Sequence, residues 1–166
     1  MQNLTPQLEE YILQYQSRFY RLAFTYVNDP DAAMDVVQNA IVQALTHIHS
    51  LREPAYMQTW FYRILVNEGL GYLRKHKRLL PMETPPEAFF AVGGDPEDDI
   101  ARRLDVYRAV ERLNPKLRTV VVLRFYEDMQ LNEIAQITST NINTVKSRLY
   151  KALEILRGEM QEGDLA

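Results

Sequence analysis

The chain has 166 residues, a formal net charge of −3, and is 46% hydrophobic and 25% charged, enough for one ordinary domain or two small ones. It has no cysteine, which excludes a disulfide framework and a thiolate metal site. No apolar run approaches the roughly 18 residues of a membrane span, and the opening MQNLTPQLEEY lacks the basic-then-apolar signature of a signal peptide. A soluble, cytoplasmic chain without membrane insertion is therefore expected.

Thr5-Pro6 predicts a helix start, with Thr as N-cap and Pro at the first helical position. Leu8, Ile12, Tyr15, Phe19, Leu22, Ala23 and Tyr26 then hold one face to about Val27. Asp29-Pro30 opens a second helix by the same device, running to roughly His47. Its apolar positions are Ala33, Val36, Val37, Ala40, Ile41, Ala44, Leu45 and Ile48, and Asp35, Gln38, Asn39 and Gln43 lie off that face. The irregular piece HSLREPAYMQ follows, and a third helix is predicted from about Met57 to His76 or Lys77. Its first part is apolar almost all round, so Trp60, Phe61, Ile64 and Leu65 are read as core. Gly69 and Gly71 each cost about 1 kcal/mol relative to Ala in a helix, which implies close backbone packing or a bend. Tyr56, Trp60, Tyr62, Arg63 and Tyr72 set aromatics beside a base, which fits a surface that stacks unpaired bases and equally a helical core.

From Leu79 to Asp99, Pro81, Pro85, Pro86, Gly93, Gly94 and Pro96 exclude long secondary structure, and an extended acidic linker is expected. A fourth helix is predicted over about 97–112 with Ile100, Leu104, Val106, Tyr107, Val110 and Leu113 inward, and Asn114-Pro115 caps a fifth. Two further helical patterns meet across Thr138-Ser139-Thr140-Asn141, with Asn141 as N-cap of the second. So short a turn forces a steep crossing, with small Ala135 at the approach. This is a helix-turn-helix pattern, and its second helix presents Asn143, Lys146, Ser147, Arg148, Tyr150 and Lys151 outward. An ordinary helical hairpin with a solvated basic face would carry the same pattern.

The charge is unevenly placed. Arg52, Arg63, Arg74, Lys75, Lys77 and Arg78 form one basic stretch, and Lys146, Arg148, Lys151 and Arg157 form another. Between them stand Glu83, Glu87, Asp95, Glu97, Asp98 and Asp99 in a segment with no base. The three histidines, His47, His49 and His76, are poorly spaced for a metal, and neither a glycine-rich phosphate loop nor a nucleophile elbow occurs. No enzyme, catalytic residue, metal site or cofactor is expected. The fold class expected is all-α, with two small helical domains joined by the acidic linker.

Four segments in order resemble the sigma-70 family of bacterial RNA polymerase initiation factors, of the short extracytoplasmic-function (ECF) type. DAAMDVVQNAIVQA at 31–44 resembles the polymerase-binding motif of region 2, and TWFYRILVNEGLGYLR at 59–74 resembles the part that melts and reads the −10 element. LNPKLRTVVVLRF at 113–125 and EIAQITSTNINTVKSRL at 133–149 resemble region 4, which reads the −35 element. The resemblance implies region 2 over 1–78, a linker over 79–99 and region 4 over 100–160. It implies that Asp35, Gln38 and Asn39 meet the β′ clamp helices of core RNA polymerase, although the family's acidic residues are here Met34 and Asn39. It implies −10 DNA contacts from Ser50, Leu51, Arg52, Arg63, Asn67, Arg74 and Lys75, with Leu51 where these factors pocket a flipped-out base. It implies −35 contacts from Thr144, Lys146, Ser147 and Arg148, to which helix geometry adds Asn143, Tyr150 and Lys151. Region 4 would meet the polymerase β flap, promoter DNA would be the ligand, and an anti-sigma factor would hold the chain inactive. Two other readings stay open on the residues: a stand-alone helix-turn-helix regulator, and a sigma-like interaction module that binds polymerase or an anti-sigma factor without initiating. Ser139 stands where the family prefers a glycine able to take positive φ.

Overall fold

The computed structural model describes residues 3–76 and 96–165, with side chains described over 3–76 and 102–159. The predicted linker, 79–99, lies outside the described residues as far as 95. Pro96 already opens a helix, so 96–99 belong to the second unit rather than to the connection. Proline suits the first helical turn, where its missing N–H has no intrahelical partner to lose.

The first unit consists of α1 (Thr5–Val27), α2 (Pro30–Thr46) and α3 (Met57–Lys75), with short 3-10 turns at Ile48–Ser50 and Pro54–Tyr56. At the start of α1 the expected cap is one residue off. Leu4, not Thr5, is the N-cap, its side chain only 2% exposed in the core and its carbonyl accepting from Leu8 N–H at 2.9 Å. Burial of an apolar side chain thus decided the register over hydroxyl capping. Asp29 caps α2 as expected, its carboxylate accepting from Ala32 N–H at 2.8 Å. The interior is aromatic: the Phe19 and Phe61 rings lie 4.4 Å apart and Tyr62 meets Phe19 edge-on at 5.5 Å. Leu45, predicted inward, is instead 39% exposed.

The second unit consists of α4 (Pro96–Arg112), α5 (Pro115–Val121), α6 (Leu131–Thr138) and α7 (Ile142–Leu165). Val106, predicted inward, is exposed, while Tyr107, Val110 and Leu113 are buried. Asn114 caps α5 through Leu117 N–H at 3.0 Å. After Val121 the chain widens into a π-helical turn over Val122–Tyr126, which buries Val122 and Leu123 and turns Phe125 outward. The sharp turn between α6 and α7 uses Ser139 in the left-handed region, φ 55° and ψ 42°. Asn141 then caps α7 through Thr144 N–H at 2.8 Å.

The two units are packed together, chiefly α3 against α6. Tyr26 of α1 hydrogen-bonds the Thr119 hydroxyl of α5. Arg118 donates to the Thr25 carbonyl at 2.8 Å and to the carbonyls of Glu111 and Leu113 at 2.7 and 2.9 Å. Tyr62 donates to Glu127 at 2.9 Å, and Arg21 lies 3.6 Å from the other oxygen of that carboxylate. Gly69 explains one of the helical glycines: a Cβ there would stand 2.4 Å from the Tyr26 ring. At Gly71 a Cβ would meet only Arg74, at 3.6 Å, so close packing does not account for it.

Candidate nucleic-acid and polymerase interface

Three surfaces carry the residues singled out from the sequence. On α2, Ala33, Val36, Val37, Ala40 and Ala44 are buried, which leaves Met34, Asp35, Gln38, Asn39 and Val42 on the open side. The Gln38 amide rests on the Met34 sulfur at 3.9 Å. This face combines one carboxylate, two amides and two apolar side chains, a mixture suited to a protein partner rather than to phosphates.

The second surface surrounds a cavity of about 510 Å³ beside the start of α3. Ser50, Leu51 and Arg52 form one wall, and Tyr56, Trp60 and Arg63 form another. Leu51 is only 7% exposed and makes an apolar wall, whereas Ser50, Arg52 and Arg63 are exposed. The Trp60 indole N–H donates to the Ser50 hydroxyl at 3.2 Å, which fixes the ring at the rim of the cavity. The sequence reading of Trp60 as core is therefore corrected: it is half-buried, with one side on the core and the other on the cavity. Tyr62, grouped with it from the sequence, is fully inside. Spacing of three and four along α3 continues the rim from Trp60 and Arg63 to exposed Asn67 and then Arg74. Lys75 lies beside Arg74, also exposed. Arrayed this way, the surface offers an aromatic edge and an apolar wall for a base, and guanidinium and ammonium groups for a backbone.

The third surface is α7. Val145 and Ala152 are buried, so Asn143, Lys146, Ser147, Tyr150 and Lys151 share the open face, with Thr144 and Arg148 partly buried at its edges. Tyr150 is 70% exposed and Ile142, at the first turn, 39%. The polar tips on this face are of the kinds that pair with the donors and acceptors a major groove displays.

The structure also brings together what the sequence kept apart. Gln136 of α6 lines the cavity of the first unit, and the Arg63 guanidinium donates to Ser139 at 2.9 Å. Below this contact Glu127 is buried against Tyr62, Tyr11, Arg18 and Arg21. Burial pushes its carboxyl above the usual range, more than the facing arginines and the Tyr62 hydrogen bond lower it. Burial likewise pushes the Tyr26 phenol up to about 12 and draws the Arg118 guanidinium down. Neither Glu127 nor Arg118 was singled out from the sequence.

Two units, one with an aromatic-rimmed basic cavity and one with a helix-turn-helix, define a helical DNA-reading protein built in two parts. The sequence profile described as Sigma-70 region 2 matches residues 11–79, and that described as Sigma-70, region 4 matches residues 103–156. RNA polymerase sigma factor SigV of Bacillus subtilis is 39% identical over 155 residues, covering 93% of this chain and 92% of its own. The ECF RNA polymerase sigma-E factor of Escherichia coli is 31% identical, covering 90% of this chain and 84% of its own. Among solved structures, the sigma factor RpoE in complex with the anti-sigma factor NepR from Bartonella quintana superposes with a TM-score of 0.76 at 20% identity. That match covers 93% of this chain and 97% of the other. CnrH in complex with the cytosolic domain of CnrY gives 0.69 at 18% identity, covering 93% and 88%. The chain belongs to the sigma-70 family of RNA polymerase sigma factors, in its ECF group.

Proposed function

We propose the following division of labour for this ECF sigma factor, which as a member of its family binds core RNA polymerase and directs promoter-specific initiation. Region 2 spans 1–78 and region 4 spans 100–160, the latter preceded by the helical turn at 96–99. Asp35, Gln38 and Asn39 meet the β′ clamp helices, with Met34 and Val42 adding apolar contact. Ser50, Leu51 and Arg52 receive one unpaired −10 base, Trp60 and Tyr56 stack beside it, and Arg63, Asn67, Arg74 and Lys75 track the strand. Asn143, Thr144, Lys146, Ser147, Arg148, Tyr150 and Lys151 read the −35 duplex, and Ile142 meets a thymine methyl. Region 4 docks on the β flap, and an anti-sigma factor restrains the chain in the cytoplasm. The chain performs no catalysis itself.

The observation that carries this reading is the open cavity at Leu51 with Trp60 held at its rim, whose size and lining suit one unpaired base. A good bidentate base contact contributes about 1–3 kcal/mol of discrimination, so two small readers gain selectivity only when polymerase couples them. The test is run-off transcription with core polymerase on a promoter library. Specific starts that vanish with Asn67→Ala and with Lys146→Ala are expected. Starts indifferent to both variants, or tight duplex binding that needs no polymerase, would refute the assignment.

A further inference from the structure

Region 2 holds a second cavity, of about 400 Å³, on the other side of the start of α3. One wall is a stripe of α1 at helix spacing, Gln7, Glu10, Tyr11, Gln14, Tyr15 and Arg18. The facing wall is Pro54 and Ala55 with Met57, Gln58 and Tyr62 of α3. The two cavities share the Pro54–Tyr56 turn: Glu53 and Tyr56 line the Leu51 cavity, and Pro54 and Ala55 line this one. From α3, Thr59, Trp60 and Arg63 serve the first, and Gln58 and Tyr62 serve the second. Only the width of one helix separates them, roughly 10 Å, about three nucleotide steps at duplex rise and fewer in an extended strand.

The second cavity is furnished for a nucleobase. Its rings are held in place: Tyr11 packs 5.1 Å from Tyr15, 5.5 Å from Phe19 and edge-on to Phe61 at 6.0 Å. The Gln14 amide donates to the Tyr15 hydroxyl at 3.3 Å, and the Arg18 guanidinium lies 5.3 Å from the Tyr15 ring centroid. Aromatic faces supply stacking that every base can use, and the exposed amides of Gln7 and Gln58 can both donate to and accept from a base edge. Charge argues against a site for phosphate alone, since one carboxylate, Glu10, offsets the one guanidinium. A single phosphate arriving with its base is what Arg18 can serve. The strand proposed above runs along α3 from Arg74 through Asn67 and Arg63 to the Leu51 cavity, so its next nucleotides leave past the start of α3, where this cavity opens. From that continuity, and resting on the assignment of the Leu51 cavity to the −10 strand, we propose that the Tyr11–Tyr15 cavity takes a second unpaired base of the same strand. The turn at Pro54–Tyr56 then acts as a divider between two base sites, and the promoter is read beyond the base at Leu51.

The test uses holoenzyme on a pre-melted promoter chosen by run-off, with an abasic site stepped along the strand that carries the −10 element. The measurement is the half-life of the complex under heparin challenge. An abasic site opposite Leu51 should shorten it. A second sensitive position should fall within about three nucleotides of the first, on the side away from the nucleotide that Asn67 meets. Loss of stacking there should shorten the half-life about fivefold or more. In Tyr15→Ala, and in Gln58→Ala at an exposed position that leaves the fold intact, that second abasic site should cost less than about twofold, while the penalty opposite Leu51 stays whole. Tyr15→Phe, which keeps the ring, should keep the second penalty. A second penalty equal in the native chain and in both alanine variants would overturn the proposal, because polymerase and not this cavity would then hold the base. Absence of a second sensitive position would overturn it while leaving the Leu51 assignment standing. No penalty opposite Leu51 either would overturn both.

Discussion

The interior of region 2 and the seam between the two units share one continuous apolar core, but the seam adds buried polar groups to it. Phe19, Phe24, Phe61, Leu22 and Leu65 fill the first with no polar atom to satisfy, and each is fully enclosed. The second holds Thr25, Arg118, Thr119 and Glu127, and Glu111 beside them, which together are the buried polar and charged residues among those described. An apolar core is stabilised by keeping water out, so it resists opening at every point. A polar pair loses less when wetted than an apolar contact does, since each group exchanges a protein partner for water.

The largest expected effect breaks the first region alone. Phe61→Ala removes the ring packed on Phe19 and should cost about 3–5 kcal/mol in denaturant unfolding, with loss of polymerase binding. Arg118→Ala acts on the seam. It leaves the carbonyls of Thr25, Glu111 and Leu113 without their donor and should cost about 1–3 kcal/mol. Unlike Phe61→Ala, it should also enlarge the particle in small-angle scattering while leaving the helical signal intact.

The two glycines of α3 sharpen the comparison. Gly69→Ala drives a methyl into the Tyr26 ring that bonds Thr119, so overpacking of about 1–3 kcal/mol outweighs the gain in helix propensity, and the melting temperature should fall. Gly71→Ala meets no such neighbour and should stabilise by up to about 1 kcal/mol. A thermal melt of both variants separates them by sign.

The smallest effect is with pH. Glu127 is raised in the closed seam by burial, with Tyr11, Arg18 and Arg21 of α1 and Tyr62 of α3 facing it. Once the units part, its carboxyl returns to the ordinary range. A group raised in the closed form favours closure when protonated, and that contribution fades as pH rises through the raised value. Acidification across the window between the ordinary value of 4.5 and the raised one should therefore tighten the seam. The slope should shrink in Glu127→Gln.

Much of this was legible in sequence because it is local. Asp29, Asn114 and Asn141 cap the helices where their side chains and the following residues said they would. Ser139 takes the left-handed conformation that its place in the turn demanded. The face of α7 follows from helix spacing alone. What was not legible depends on residues distant in the chain: Glu127 meets Tyr62 across 65 positions, and Arg118 meets Thr25 across 93. No periodicity marks such pairs. Trp60 was misread for a related reason, since spacing places it toward the core without revealing a cavity on its other side. The π-helical turn at Val122–Tyr126 likewise leaves no signature distinct from an α-helix.

The most direct test of the account asks whether the two units, packed here through Glu127, Arg118 and Tyr26, part when core polymerase is added. Exposed Gln16 on α1 and Arg157 on α7 can be changed to Cys and labelled as a dye pair in the cysteine-free chain. Energy transfer should be high in the free protein and drop sharply when core polymerase is added, with Phe61→Ala scrambling the signal and Tyr62→Phe lowering it before polymerase arrives. Transfer that stays unchanged between the free chain and an initiating holoenzyme would contradict the account.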